Sequence, residues 1–166
     1  MLERIRRLFG RKKAPQRPST APPRPRGGVG AAPPYGGARD HVGGARISYR
    51  PDRDGEPDPG EVVWCWVPFA DDPTRGKDRP VIVMGHVEYF PDLLVVQLSS
   101  QERRRGEAGW VGIGTGRWDA KRRDSYADVR RPLAVAAASV RREGGTLPRG
   151  RFDDVAAELR QRYGYH

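Results

Sequence analysis

Cysteine is nearly missing from this 166-residue chain. Cys65 stands alone, so no intrachain disulfide can form. A lone thiol suits a reducing compartment, and the cytoplasm is the expected location. Long apolar runs are missing too. None approaches the roughly 20 residues of a membrane-spanning helix. The basic N-terminus lacks the apolar core that a secretory signal needs. Histidine is scarce, with three residues, His41, His86 and His166. No His, Cys and acidic residues cluster at metal-ligand spacing, so no metal or other cofactor is expected. Apolar residues make up only 36% of the chain and the mean hydropathy is −0.78, low for a fully packed chain of this length.

Glycine (21), proline (16) and positive charge are abundant instead; the net charge is +10 and the pI about 10.4. Such a balance favours anionic partners: nucleic acid, an anionic membrane or an acidic protein. The charge is uneven. Residues 1–59 carry +7 and the remainder +3, so a site in the folded part must be argued from placement and not from bulk charge. Residues 1–45 read as a disordered, basic, Pro/Gly-rich tail. Within it, residues 1–13 can form a short helix with Leu2, Ile5, Leu8 and Phe9 on one face. Set among arginines, that stripe suits an anionic membrane or nucleic acid.

Residues 46–166 read as one mainly β domain. Residues 46–50 suit a short edge strand. Residues 61–68 alternate with apolar side chains on both faces, Val62, Trp64 and Trp66 against Val63, Cys65 and Val67. That strand is therefore expected to be buried on both sides or to border a dimer interface, with Cys65 a packing residue. A charged loop over 71–78 follows, and Pro80 is expected to open the next strand, over 81–84. Further strands are expected over 93–98, 110–113, 125–129 and 133–135, with His86 in a connection and residues 139–142 in a turn or short helix. Residues 112–116 are Gly-rich but lack the Lys-Ser/Thr ending of a nucleotide loop. The helix signal is clearest over 151–163, with Asp153 or Asp154 as its cap and Phe152, Val155, Ala156, Leu159 and Tyr163 on one face. Short strands followed by one helix predict a small, curled antiparallel barrel.

Several charged and aromatic residues have chemistry to offer. Arg79 stands just before an apolar strand, and a guanidinium there can fork onto a phosphate, or simply pair with Asp71, Asp72 or Asp78. His86 is the residue that a search for a general base would pick first. Trp110, Trp118 and Tyr126 are interleaved with Arg103, Arg104, Arg117, Lys121 and Arg122, a mixture that stacks bases and holds phosphates.

Residues 60–83, GEVVWCWVPFADDPTRGKDRPVIV, resemble the opening of the MazF/PemK toxins of type II toxin–antitoxin systems. The shared features are Gly60-Glu61 before an apolar strand, a charged loop with Gly76, and Arg79-Pro80 before an aliphatic run. The strand over 94–99 with its terminal hydroxyls also fits. The resemblance implies an SH3-like barrel, a homodimer, an antitoxin partner and metal-independent cleavage of single-stranded RNA. It places the conserved arginine on Arg79 and the strand-end hydroxyl on Ser99, with Asp128 as the matching acid, the candidate base or the group that orients Arg79. One branch of the family uses Arg-x-Asp here, but this chain has Tyr126-Ala127-Asp128. The RNA contacts it suggests are Lys77, Ser100, Arg103, Arg104, Arg117, Trp118, Lys121 and Arg122. The alternative is a non-catalytic module of the same fold that binds nucleic acid or a protein such as a topoisomerase.

Overall fold

A computed structural model of the chain describes residues 29–34, 36–52 and 54–166. The helix expected over 1–13, and the tail up to residue 28, lie outside the described residues. Nine strands form one antiparallel system. They are β1 (Arg39–Asp40), β2 (Ala45–Ile47), β3 (Glu61–Pro68), β4 (Gly76–Val87), β5 (Leu93–Ser99), β6 (Trp110–Gly114), β7 (Ser125–Asp128), β8 (Leu133–Val135) and β9 (Arg141–Thr146). Among the described residues one α-helix, α1 (Arg149–Tyr163), follows. The main path runs β1-β8-β5-β4-β3-β9, with β2 on the far end of β4 and β6-β7 on the far end of β5. The path does not close, so the sheet is a curled, open barrel.

Both faces of the central strands are apolar because both are covered. Val62, Ile82, Met84, Leu94, Val96 and Leu98 meet α1, β6 and β7 in one cluster. Val63, Cys65, Val67, Val81, Val83 and Val95 meet Ala38, β8 and Val140 in the other. Period-two alternation therefore feeds two cores, each side chain of this size contributing about 1.5–3 kcal/mol on burial.

Several boundaries differ from expectation. β4 begins at Gly76, so Lys77, Asp78 and Arg79 belong to the strand: Cys65 pairs with Arg79 and Trp66 with Asp78. Backbone pairing with β3 overrides the loop-like composition of that stretch. His86 is likewise inside β4, exposed and paired with Arg46 and Leu93. Residues 139–142 were expected as a turn or short helix, but Arg141 and Arg142 open β9; RREGGT has no apolar period, and the strand completes the hydrogen bonding of the open edge of β3. The helix starts at Arg149 behind Pro148, and neither Asp153 nor Asp154 caps it. Both lie inside the first turns and face arginines, Asp153 with Arg149 and Asp154 with Arg151. Phe152, Val155, Ala156 and Leu159 are buried on one face, whereas Tyr163 is partly exposed.

Residues 36–45, read from the sequence as tail, carry structure of their own. β1 pairs with β8, and β2 pairs with β4. No helix among the described residues is long and apolar enough to cross a membrane.

Candidate active site

The site is built where β4 and β5 part. Val81 is the first β4 residue to pair with β5, opposite Gln97. Pro80, one residue earlier, has no N–H to give a ladder. Beyond Gln97, β5 turns to β7, pairing Leu98 with Ala127 and Ser99 with Tyr126. The row that is core at Val83 and Val81 continues as Arg79 and Lys77, and the row at Val95 continues as Gln97 and Ser99. Side chains of the core face thus run out into an open groove.

Two cavities lie in this groove, of about 490 and 200 Å³. Arg79, Leu98, Ser99 and Gln101 line both, so Arg79 stands at the divide between them. The larger is closed on one side by residues 68–71 and on the other by Asp128, Arg130 and Arg131. Lys77, Ser100 and Trp118 line the smaller.

The Arg79 side chain is half-buried and makes no ion pair or hydrogen bond with the described residues. The acids near it in sequence are engaged elsewhere or stand free: Asp78 pairs with Arg141, and Asp72 holds the backbone and hydroxyl of Thr74. Burial, then the Arg131 and Arg104 cations, lower the Arg79 pKa from its ordinary value, with Asp128 opposing. Lys77 is lowered in turn, by Arg79 first and by burial second. Arg79 and Lys77 are therefore neighbouring cations without an ion-pair partner among the described residues, a charge that an anion would relieve.

Asp128 is only 3% exposed. Arg130 reaches it with two bonds, Nε to Oδ1 at 2.8 Å and a terminal nitrogen to Oδ2 at 3.0 Å. The Arg130 backbone N–H and Gln97 Nε2 also donate to it, at 3.2 and 3.3 Å. Glu107 accepts two 2.8 Å bonds from Arg104 and lies 3.8 Å from Arg130. Both guanidinium groups rest against the Trp110 ring, at 4.4 and 4.9 Å from its centroid. Gly109 makes room for this arrangement. Its φ is +83°, and a β-carbon there would stand 2.3 Å from Arg130 Cγ. From behind, the Tyr163 hydroxyl donates to the Arg130 carbonyl at 2.8 Å, tying α1 to this wall.

Of the residues expected from the sequence, Arg79, Ser99, Asp128, Arg103 and Arg104 meet at the larger cavity, and Lys77 and Ser100 at the smaller. Ser99 Oγ accepts the Gln101 N–H at 3.3 Å, which leaves its proton free to donate. Trp118 is a correction to the expected stacking surface. It is 4% exposed, sits in the first core cluster and donates its indole N–H to Ser125, so it forms a wall and offers no open ring face. Arg117, Lys121 and Arg122 are exposed on the connection after β6 and line neither cavity. Trp110, the other tryptophan of that set, is half-buried and lines the larger cavity. Arg130, Arg131 and Gln97 were missed. The Asp128-x-Arg130 spacing was readable, but nothing local said which acid Arg130 would choose.

Among the described residues, no group of three or more His, Cys, Asp or Glu is arranged to hold a metal ion. Residues 58–162 match the family model for the PemK-like, MazF-like toxins of type II toxin–antitoxin systems. No curated protein matches the chain.

Proposed function

The chain belongs to the PemK-like, MazF-like toxins of type II toxin–antitoxin systems, and from that membership we propose that it is an endoribonuclease that cuts single-stranded RNA at Arg79. The observation that carries this reading is the half-buried Arg79, without an ion pair and set between two cavities rich in cations. The cut uses the RNA's own chemistry. Solvent in the open groove takes the proton of the 2′-hydroxyl as its oxygen bonds to the adjacent phosphorus, the bond from phosphorus to the 5′-oxygen breaks, and that oxygen takes a proton from solvent. The products are a 2′,3′-cyclic phosphate and a 5′-hydroxyl. Charge builds on the non-bridging oxygens in the phosphorane, where Arg79 supplies a fork of donors and Ser99 a hydroxyl donor. Asp128 serves as a positioning residue: it holds Arg130 across the cavity from Arg79. Lys77, Ser100, Arg103 and Arg104 contact flanking nucleotides, and Arg117, Lys121 and Arg122 steer RNA from outside the groove. Type II membership also implies an antitoxin partner, and a homodimer is the assembly we propose. The working unit runs from residue 29, with the structured N-terminal residues included.

A second reading has one observation in its favour. Both Asp128 oxygens are taken by Arg130, so the buried carboxylate of the cavity has no free face with which to accept the 2′ proton. A module that binds nucleic acid without cutting it would keep the same cations. Cleavage of a long single-stranded RNA in EDTA separates the two. Discrete cuts with cyclic-phosphate ends are expected, slowed about 10²–10³-fold in Arg79→Ala and about tenfold in Ser99→Ala. If wild-type protein binds varied RNAs and leaves all of them intact, the binding module is the correct reading.

A further inference from the structure

The segment N-terminal to the family match packs behind both walls of the groove. Gly30 and Gly76 exchange two backbone hydrogen bonds, at 3.0 and 2.9 Å, at the start of the strand that carries Lys77 and Arg79. Ala38 N–H donates to the Trp66 carbonyl at 2.9 Å, and the Ala38 side chain is buried in the second cluster. Gly37 lies so close that a β-carbon would stand 2.5 Å from the Trp66 ring. These contacts brace the hairpin whose tip, residues 68–71, forms one wall of the larger cavity. The same segment then crosses to the opposite wall. β1 pairs with β8, His41 N–H donates to the Pro132 carbonyl, and Arg39 pairs with Asp92. At the crossing, Asp40 Oδ1 accepts from Arg131 Nε at 2.5 Å, while a terminal nitrogen of Arg131 donates to the Pro68 carbonyl at 2.7 Å. One guanidinium thus latches both walls, and it is the cation that acts most strongly on Arg79.

We propose that Asp40 is a positioning residue for nucleic-acid binding: it orients Arg131 so that the guanidinium nitrogen left unbonded meets a backbone phosphate in the larger cavity. Residues 29–47 are then a working part of the site, although they lie outside the matched segment 58–162. The geometry favours an orienting role over a charge role. The Asp40 side chain is 63% exposed and the Arg131 side chain 16%, so the carboxylate is at the rim and the cation it holds is inside. Two of the Arg131 nitrogens are committed to protein, which sets the direction of the third.

This rests on the groove being an RNA site, so the test reads binding apart from the cleavage assay above. Full-length protein is titrated by fluorescence anisotropy against a labelled 2′-O-methyl oligoribonucleotide, which cannot be cleaved, across a salt series. Asp40→Asn and Asp40→Ala both remove the charge, but only the asparagine keeps an oxygen that can accept from Arg131. Asp40→Ala is expected to bind about 3–10-fold more weakly than Asp40→Asn. Arg131→Ala is expected to lower the salt slope by about 0.7, the value of one single-strand phosphate contact. Thermal melting confirms that each variant is folded. If folded Asp40→Ala binds as tightly as Asp40→Asn, or if the salt slope of folded Arg131→Ala is unchanged, the assignment is overturned. If binding follows the proposal and no RNA is cut, the positioning role stands and the ribonuclease reading fails by itself.

Discussion

Removing Arg141 should test how the charges behind the groove are arranged. Its side chain is 3% exposed and pairs with Asp78, whose side chain is 11% exposed. The pair is incompletely satisfied, because Arg141 Nε and Nη1 and Asp78 Oδ1 have no partner among the described residues. Arg141→Met would leave the mostly buried Asp78 carboxylate without the ion-pair partner it has among the described residues. Breaking a buried pair in this way costs about 3–5 kcal/mol, a large fraction of the roughly 5–15 kcal/mol that holds a domain of this kind together. The melting temperature should fall by roughly 10 °C. The double change Asp78→Leu with Arg141→Met removes both charges and both sets of unmet hydrogen bonds. It should recover most of the loss, because two desolvation penalties disappear with the attraction. Urea unfolding followed by tryptophan fluorescence gives the four stabilities of the cycle. An Arg141→Met loss below about 1 kcal/mol, or a double variant no better than the sum of the singles, would refute the reasoning. The first result would mean that water reaches the pair; the second would mean that the two residues do not act on each other.

Two further outcomes follow from titratable groups. Hydrogen bonds from Arg123, outweighing burial, hold the Asp119 pKa down to about 2, against 3.8 in a free chain. A depressed carboxylate stabilises the fold above its unfolded pKa, and the gain is lost as pH falls through the folded one. Arg123 is half exposed, so the gain is discounted to about 1 kcal/mol. Asp119→Asn should therefore be less stable than wild type at pH 7, with the gap closing between about pH 4 and pH 2; a gap that stays constant over that range contradicts the assignment. Burial, aided by Asp78 and opposed by Arg141, raises the Cys65 pKa to about 12. Iodoacetamide at pH 8 should modify this thiol only as fast as the protein unfolds, and alkylation of folded protein at the rate of a free thiol would overturn the core placement.

Much of the central sheet was legible from alternation alone. Residues 61–68 read as a strand with two apolar faces, and β3 has those bounds and two cores. The helix face through Phe152, Val155, Ala156 and Leu159 was equally plain. In both cases the signal is local, since the period of the backbone repeats what each side chain must bury. Arg79 and Ser99 could be placed for the same reason: they continue apolar rows past the end of the core.

Partner choice lay beyond that signal. Arg79 was free to pair with any of three neighbouring aspartates, and the fold instead gave Asp78 to Arg141, 63 residues away. Trp110 and Trp118 look alike in sequence, yet one lies half-buried against two guanidinium groups and the other fills the core, according to how β6 and β7 stack on β5. β9 has no apolar period and exists because β3 has an open edge. The Pro/Gly-rich composition of residues 29–47 says nothing of their contacts, because backbone hydrogen bonds to Gly76, Trp66 and Pro132 ask for no particular side chain. Composition and period set what each residue seeks to bury or expose; which distant atom meets that need is settled only when the strands take their order in the sheet.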